Sequence, residues 1–364
     1  MTHTEACIAL NMVPRLGPVR LRRLLDMLGS PQRVLSTSVS ELQHAEGVGP
    51  DVAQSIARWE QTVDLAAELR RVAEFGATVL TQESPEYPAL LKEIHAPPIV
   101  LYVWGELTER DRHGVGVVGS RKPSHYAMEC AKKLSYQLAY SGLTVFSGLA
   151  LGIDTAAHQG ALAARGRTVA VIGSGLGRLY PQRNRELAER IAAGNGAVIS
   201  EFSMDVAPDK QTFPMRNRIV AGCSFGLLVV EAGLTSGTLI TATQAADQGR
   251  AIYAIPGRID HPGALGSNKL IQQGAKLVQS AQDILDDMGM LFPEVPSIST
   301  PTPPVELSDS ERAVLLAVGD DEAHFDMVAL RSQLPIATVS STLLALEMRR
   351  LIKQLPGARF VRTN

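Results

Sequence analysis

Seven short apolar runs that alternate with helical stretches constrain the fold of this chain more than any other feature. The runs are rich in β-branched residues and most end in Gly or Ser, as strands do when a turn and a helix follow. They are TVLT (Thr78 to Thr81), VGVVGS (Val115 to Ser120), TVFSG (Thr144 to Gly148), TVAVIG (Thr168 to Gly173), AVISE (Ala197 to Glu201), GLLVVEA (Gly226 to Ala232) and AIYAIPG (Ala251 to Gly257). The alternation predicts an α/β fold with a Rossmann-like parallel sheet covered on both faces. Right-handed crossovers then place every strand-to-helix loop at one edge.

Residues 1–75 are predicted to form a helical domain in front of this sheet. Two of its segments are alike, RLGPVRLRRLLDML (Arg15 to Leu28) and EGVGPDVAQSIARW (Glu46 to Trp59). In both, a glycine-containing turn presents free amide groups at a helix N-terminus, which suits a phosphate. The pattern favours either a SAM-like (helix-hairpin-helix) module on a DNA backbone or a small helical packing domain.

The other boundaries follow from composition. Residues 76–290 are predicted to be an extended Rossmann-like domain, and 291–306 (LFPEVPSISTPTPPVE) a linker rich in Pro, Ser and Thr. Residues 307–364 contain three helical segments and a hairpin-like end, which predicts a winged-helix-like domain. Its candidate recognition helix, Ala337 to Arg350, carries only two basic residues. We therefore expect a protein contact there at least as much as contact with duplex DNA.

The bulk properties exclude several classes of protein. No apolar run is long enough to span a membrane, and Cys7, Cys130 and Cys223 lie too far apart for a disulfide framework or a metal cluster. A cytoplasmic protein without metal or cofactor is expected. The formal net charge of −2 argues against a nucleic-acid partner, unless a local groove is basic.

The glycines Gly114, Gly116 and Gly119 have the G-x-G-x-x-G spacing of a dinucleotide site. In such a site the first glycine follows the strand, and an acid about 20 residues later binds the ribose. Here Gly114 and Gly116 lie before or inside the strand, and the second strand ends in Ser147-Gly148. NAD binding is not predicted.

The strand exits instead predict a long edge that receives anions. Glycines allow backbone amides to approach a ligand, and Ser and Thr hydroxyls add donors. The arginines near these exits are Arg121, Arg178, Arg183, Arg185, Arg216 and Arg218. If they share the edge, they form a basic stripe, and Tyr180 among them is suited to stack on an unpaired base. The alternative for Arg216 and Arg218 is internal pairing with Glu201 or Glu231.

The ordered motifs of the middle region resemble the DNA-processing protein A family (DprA, also called Smf). They are GSRKPS, SGLALGIDTAAHQGAL, VIGSGLGRLYPQRNREL, SEFSMD, FPMRNRIVAG, EAGLTSGTLITATQAADQGRAIYAIPG and GSNKLIQQGAKLV, between about Val115 and Val278. The resemblance implies a non-catalytic protein of natural transformation. Such proteins bind and protect incoming single-stranded DNA, displace single-strand-binding protein, help load the RecA recombinase, and form homodimers through the Rossmann domain.

Carried over to matching positions, the resemblance implies that Arg121 contacts phosphate and that the loop of Ser147 to Asp154 and the segment of Gly266 to Ile271 line the site. Many family members have lysine where this chain has Gln182, so Arg183 is the candidate replacement. Together with the strand exits, the expected DNA contacts are Gly119, Ser120, Arg121, Ser147, Gly148, Ala150, Gly152, Gly173, Gly175, Tyr180, Gln182, Arg183, Asn184, Arg216, Asn217, Arg218, Gly266, Asn268 and Leu270.

No catalytic residue is predicted. Asp154 and His158 lie four residues apart, but no serine or cysteine nucleophile accompanies them, and we expect a helix cap and a structural hydrogen bond instead. One alternative is a nucleoside-monophosphate phosphoribohydrolase. Its loop needs a Glu three residues after Thr238, where this chain has Thr241. The other alternative is a winged-helix transcription regulator, which would prefer one duplex sequence.

Overall fold

The computed structural model describes residues 1–291, 307–319, 323–348, 351–355 and 357–362. These residues fall into two compact units, Met1–Ile298 and Ser299–Asn364, which are described separately. Apart from Leu291, the predicted linker at 291–306 lies outside the described residues and stays a prediction.

The N-terminal region is helical, as predicted. Its helices are α1 His3–Met12, α2 Pro18–Leu28, α3 Pro31–Ser36, α4 Val39–Leu42, α5 Pro50–Ala57, α6 Trp59–Thr62 and α7 Leu65–Phe75. The two segments that are alike in sequence both form a helix with proline at its first position, preceded by Gly17 in α2 and Gly49 in α5. Proline suits this position because its fixed φ is helical and its missing N–H would have no partner there.

These helices share a hydrophobic core with the sheet. Leu10 and Leu24 are fully buried in the same cluster as Tyr102, Ile172 and Val198. The helical region therefore covers part of one face of the sheet, and its own apolar stripe is buried there rather than in a separate core.

Nine of the described strands form one sheet. They are β1 Thr78–Thr81, β2 Val100–Gly105, β3 Gly114–Val118, β4 Thr144–Ser147, β5 Thr168–Val171, β6 Gly196–Ser200, β7 Gly226–Val229, β8 Ala251–Ala254 and β9 Lys276–Leu277. Their order is β1-β2-β6-β5-β4-β3-β7-β8-β9. From β6 to β9 all neighbours are parallel, which confirms the predicted Rossmann-like core.

The prediction of the sheet was incomplete at both ends. Strands β2 and β9 were not predicted, and β2 pairs in an antiparallel manner with both β1 and β6. Between β1 and β2 the chain forms only one short helix, α8 (Ala89–Lys92). It therefore returns in the opposite direction without the long crossover helix that a parallel pair needs.

Helices cover both faces of the parallel strands. They are α9 His125–Tyr140, α10 Ile153–Ala163, α11 Arg185–Ala192, α12 Thr212–Gly222, α13 Gly237–Asp247, α14 Leu265–Gln272 and α15 Ala281–Leu291. In β3, Val117 packs in a cluster with α9 and α10, whereas its neighbour Val118 packs in a cluster with α12 and α13. Successive strand residues point to opposite faces, so this alternation shows one core on each side.

The C-terminal unit has the predicted helices and hairpin. Its elements are α16 Asp309–Val318, β10 Ala323–His324, α17 Phe325–Ser332, α18 Ile336–Met348, β11 Ile352–Leu355 and β12 Arg359–Arg362. The strands form an antiparallel sheet in the order β10-β12-β11, of which β10 was not predicted. Val314, Val328, Val339 and Phe360 are in its core. The two basic residues of the predicted recognition helix, Arg349 and Arg350, lie outside the described residues.

Candidate nucleic-acid interface

The sheet topology brings the strand exits together at one edge. Strands β5, β4, β3, β7 and β8 are consecutive and parallel, so the loops after them follow one another in the same order. Ligands of open α/β sheets bind in the crevice outside the carboxyl ends of the strands. We call this row of loops the loop edge.

The glycines of the loop edge allow the loops to pack against each other. A side chain at Gly152, whose φ is +86°, would place its Cβ 2.4 Å from the Ser120 carbonyl oxygen. A Cβ at Gly266 would lie 2.6 Å from the Ala232 carbonyl oxygen. Both distances are too short for any residue but glycine. These glycines were expected to bring amides close to a ligand, whereas they bring one backbone segment close to another.

Several amides of the loop edge already have acceptors within the protein. Ser120 N–H donates to the Glu231 carbonyl at 2.8 Å, and Gly175 N–H donates to the Val206 carbonyl at 2.8 Å. Gly266 N–H donates to the Ala232 carbonyl at 2.7 Å. These three amides are therefore not available to an anion.

The loop after β4 is held from inside. The Asp154 carboxylate accepts hydrogen bonds from the amides of Gly148 (3.1 Å) and Ala150 (3.3 Å). Asn184 donates to the carbonyl of Leu149 at 2.8 Å. Burial raises the pKa of Asp154, and the nearby charge of Arg216 opposes that rise. Asp154 and Asn184 thus shape the loop, and both side chains are buried.

Three other expected contacts at this edge also tie loops together. The buried Ser147 hydroxyl donates to the Val117 carbonyl at 2.6 Å. The carbonyl of Gly173 accepts from the Thr212 hydroxyl at 2.5 Å, and a Cβ at Gly119 would lie 2.7 Å from the Ile153 side chain. The bond to Gly173 fixes the loop after β5 to the start of α12, and the bond from Ser147 joins the ends of β4 and β3.

Arg216 is buried at the end of β4 and β5. Its Nη1 donates to the carbonyls of Gly148 and Val171, and its Nε donates to Asn217 Oδ1 at 3.2 Å. Burial lowers the pKa of Arg216 to about 10, so it remains cationic at neutral pH. A Cβ at Gly148 would lie 2.5 Å from this guanidinium, so Gly148 makes room for the arginine.

Arg218 is engaged in an internal ion pair. Its Nη2 lies 2.5 Å from Glu201 Oε2, and both side chains are almost fully buried. Arg218 therefore pairs internally with Glu201, as the alternative interpretation proposed. Arg216 instead donates to backbone carbonyl oxygens and pairs with no glutamate in the part of the chain that the structure describes. Neither guanidinium is exposed at the loop edge, contrary to the expectation that they extend the basic stripe.

An exposed cationic and aromatic cluster remains at the loop edge. The guanidinium carbon of Arg121 lies 5.1 Å from the ring centroid of Phe213, and the Tyr180 ring lies 6.0 Å from the same ring. Tyr180 is 47% exposed, and the Arg121 side chain is exposed as well. We call these three residues the Arg121–Phe213–Tyr180 cluster. Phe213 was not predicted as a contact, although it stands in FPMRNRIVA at the start of α12.

The remaining arginines of the loop after β5 differ in their partners. Arg183 is exposed and forms no salt bridge with any residue that the structure describes. Arg178 lies 3.6 Å from Asp205, and Arg185 lies 3.1 Å from Glu189. Gln182, at the position of the family lysine, is exposed and donates to the Leu179 carbonyl at 3.1 Å. Arg183 is thus the unpaired cation nearest in sequence to Tyr180.

The segment of Gly266 to Leu270 supports the loop after β8. The Asn268 amide donates to the Gly257 carbonyl at 2.9 Å and accepts from the Gly257 N–H at 3.0 Å. Leu270 packs partly buried against the core. The Asn268 side chain is therefore occupied by the backbone of Gly257.

The structure offers no catalytic arrangement around Asp154 and His158. His158 is fully buried and shares a hydrogen bond of 2.7 Å with Thr168 Oγ1. Burial, and then the charge of Arg216, lower the pKa of His158 to about 3, so the ring is neutral near pH 7. Within the described residues, no group of three or more His, Cys, Asp or Glu is placed to hold a metal, and no helix has the length and apolar character to cross a membrane.

Comparison with known proteins places the chain in a family. The model of DNA recombination-mediator protein A matches residues 78–289, and the model of the DprA winged helix domain matches residues 299–358. The chain belongs to the DprA family. The resemblance drawn from the sequence motifs is confirmed, and so is the winged helix domain at the C-terminus.

Relatives within the DprA family cover most of the chain. Protein Smf of Synechocystis sp. is 34% identical, over 98% of both chains. The X-ray structure of DprA from Streptococcus pneumoniae has a TM-score of 0.69 at 35% identity, covering 79% of this chain and 99% of that one. The DprA structure from Helicobacter pylori, which describes a single-stranded DNA binding mode, has a TM-score of 0.53 at 28% identity and covers 59% of this chain and 97% of that one.

Proposed function

We propose that this protein binds single-stranded DNA along the loop edge, with the Arg121–Phe213–Tyr180 cluster and Arg183 as the main contacts. The observation that carries this proposal is the position of the Arg121 guanidinium 5.1 Å from the Phe213 ring centroid. The exposed ring of Tyr180 lies 6.0 Å from the same centroid. Single-strand binding needs cations for phosphates and aromatic faces for bases, and it needs neither a nucleophile nor a metal.

The other expected contacts have a supporting role in this proposal. Ser147, Gly148, Asn184, Arg216 and Asn268 hold the loops, so they preserve the shape of the loop edge without touching DNA. The buried Arg216 adds a fixed positive charge behind the loops. This arrangement explains how a chain with a formal net charge of −2 can offer a local cationic surface.

We further propose that the protein acts in natural transformation in the cytoplasm as a non-catalytic mediator. In this role it protects incoming strands, displaces single-strand-binding protein, helps load RecA, and forms a homodimer through the Rossmann-like domain. The proposal is supported by membership of a recombination-mediator family and by the Helicobacter pylori relative with its single-stranded DNA binding mode.

Competition between single-stranded and duplex DNA tests the binding proposal. A fluorescent single strand is held by the protein while unlabelled single strand or duplex of the same sequence is added. We expect the single strand to compete at much lower concentration. Equal competition, or preference for one duplex sequence, would favour the transcription-regulator alternative.

Strand exchange by RecA on strands coated with single-strand-binding protein tests the mediator role, and no stimulation by the full chain would contradict it.

A further inference from the structure

A cavity of about 750 Å³ opens at the loop edge. It lies between the start of α9, the end of β7 and the loop after β8. Ser124, three residues after Arg121, is on its wall, so the cavity adjoins the proposed path of the strand. Most of its wall is apolar, with Val230, Pro256 and Ala264 among the lining residues, and the exposed ion pair of Arg258 and Asp260 also lies on it.

One carboxylate is buried in this mostly apolar wall. The Glu231 side chain is 5% exposed. Its Oε2 accepts from the Ser124 hydroxyl at 2.6 Å, and its Oε1 accepts from the Ser124 N–H at 3.1 Å. His261 Nε2 lies 3.4 Å from Oε2. The described contacts thus hold the carboxylate in one orientation and concentrate on Oε2.

Space is left beside the other oxygen. A Cβ at Gly263 would lie 3.3 Å from Glu231 Oε1 and 2.8 Å from His261 Nε2. Because Gly263 has no side chain, Oε1 keeps room for a further donor, and a carboxylate oxygen can accept more than one hydrogen bond. A mostly apolar cavity with a buried, oriented acceptor suits a flat molecule that carries an N–H donor.

Tyr126 offers a flat surface at the same cavity. It lies on the wall and is 58% exposed. Aromatic side chains stack on bases of any type, whereas a carboxylate discriminates because it accepts from an exocyclic amine such as cytosine N4. Thymine has no exocyclic amine, and its single N–H lies between two carbonyl oxygens that a carboxylate repels.

We propose that this cavity receives one unpaired base of the bound strand and that Glu231 selects amine-bearing bases over thymine. This inference rests on the proposed single-strand binding and adds a base preference to it. Arg121 and Phe213 hold the strand without regard to sequence, and Glu231 adds affinity when cytosine, adenine or guanine enters the cavity.

The test compares a thymidine homopolymer with a strand of equal length in which deoxycytidine replaces alternate thymidines. We expect the mixed strand to bind about tenfold more tightly, as for one hydrogen bond to a charged acceptor. Free deoxycytidine monophosphate at the same nucleotide concentration should leave the strand bound. Equal affinity for the two strands overturns the proposal, and so does displacement by the free nucleotide.

Two variants assign the preference to Glu231. Glu231→Gln removes the charge, and Gly263→Ala fills the space beside Oε1 while keeping the charge. Both should bind the two strands alike and retain wild-type affinity for the thymidine homopolymer. Gly237→Ala is the matched control, because a Cβ there meets nothing within 4 Å, and it should keep the preference.

The outcomes separate this inference from the function on which it rests. A preference that survives both variants overturns the role of Glu231. If Glu231→Gln unfolds, as shown by its thermal transition, Gly263→Ala decides. Homopolymer binding that depends on Arg121 but shows no base preference refutes the cavity proposal alone. Failure of the wild-type protein to bind either strand refutes the proposed function as well.

Discussion

The guanidinium carbon of Arg121 lies 5.1 Å from the centroid of the Phe213 ring. Arg121 follows β3, and Phe213 lies in the first turn of α12. Two distant segments of the chain therefore build one cationic and aromatic surface. Cation–π contacts of this kind stabilise by about 0.5–1 kcal/mol at exposed sites. The main consequence concerns function, because the contact puts a cation and a stacking face side by side at the loop edge.

Replacing Phe213 should weaken DNA binding without changing its dependence on salt. Phe213→Leu keeps apolar bulk but removes the stacking face, and stacking contributes about 1–3 kcal/mol per base. We expect about tenfold weaker binding of a single strand in fluorescence anisotropy. Tyr140→Ala, an exposed aromatic at the far end of α9, is the control and should leave affinity unchanged. Wild-type affinity in Phe213→Leu would exclude the ring from the site.

The two positions after Pro181, Gln182 and Arg183, make a paired prediction. Arg183→Ala should reduce affinity, because this exposed arginine has no salt bridge within the described residues. Gln182→Lys should increase affinity, since it adds a cation at the position of the family lysine. Each change should shift the salt slope by about 0.7, in opposite directions. A salt slope in Arg183→Ala equal to that of the wild type would contradict the assignment of Arg183 to a phosphate.

Gly152 should be intolerant of any side chain. Its φ of +86° and the 2.4 Å approach of a Cβ to the Ser120 carbonyl mean that Gly152→Ala must move the loop that carries Arg121. We expect a loss of about 2 kcal/mol or more in the free energy of unfolding, together with weaker DNA binding. Urea denaturation measures the first effect. Gly237→Ala, in open space, is the control, and equal stability of the two variants would contradict the packing described here.

Buried His158 should make stability depend on pH below neutrality. Its pKa is lowered from 6.5 to about 3, mainly by burial, so the unfolded chain binds a proton that the folded protein does not. The free energy of unfolding should therefore fall by about 1.4 kcal/mol per pH unit between those two pKa values. Above pH 6.5 this residue adds no dependence.

Urea titrations from pH 7 to acid, on wild type and His158→Asn, measure this effect. The variant should lose that component of the acid decline, so the two curves converge as the pH falls. His125→Asn, at an exposed position, should follow the wild type. Curves of wild type and His158→Asn that run parallel would show that His158 is protonated in the folded state.

The parallel core was predictable because each strand is a short apolar run and most of these runs end at Gly or Ser. Strand β1 matches its predicted bounds, and β3 to β8 begin within one residue of theirs. Strand β2 carries a run of the same kind in VLYVWG (Val100 to Gly105), and β9 has only two residues. The antiparallel pairing of β2 depends on tertiary contacts with β6, which periodicity along the chain does not encode.

The candidate site was predicted less completely than the fold. Arg121 and Tyr180 follow directly from their positions after strands, and both are exposed. Arg216 has the same chemistry, yet it is buried, because Gly148 and the carbonyls of two strand ends provide a cavity for its guanidinium. The sequence shows that an arginine follows a helix start but not which way its side chain points. Phe213 was missed for the same reason.

The dependence of binding on salt in Arg121→Ala tests the central claim most directly. Each phosphate that a cation neutralises on a single strand contributes about −0.7 to the slope of log K against log salt. We predict weaker binding of a single strand and a slope shallower by about 0.7 in Arg121→Ala, with no change in Arg165→Ala, an exposed arginine after the C-terminus of α10 at the opposite edge. A slope in Arg121→Ala equal to that of the wild type would contradict the assignment of Arg121 to a phosphate.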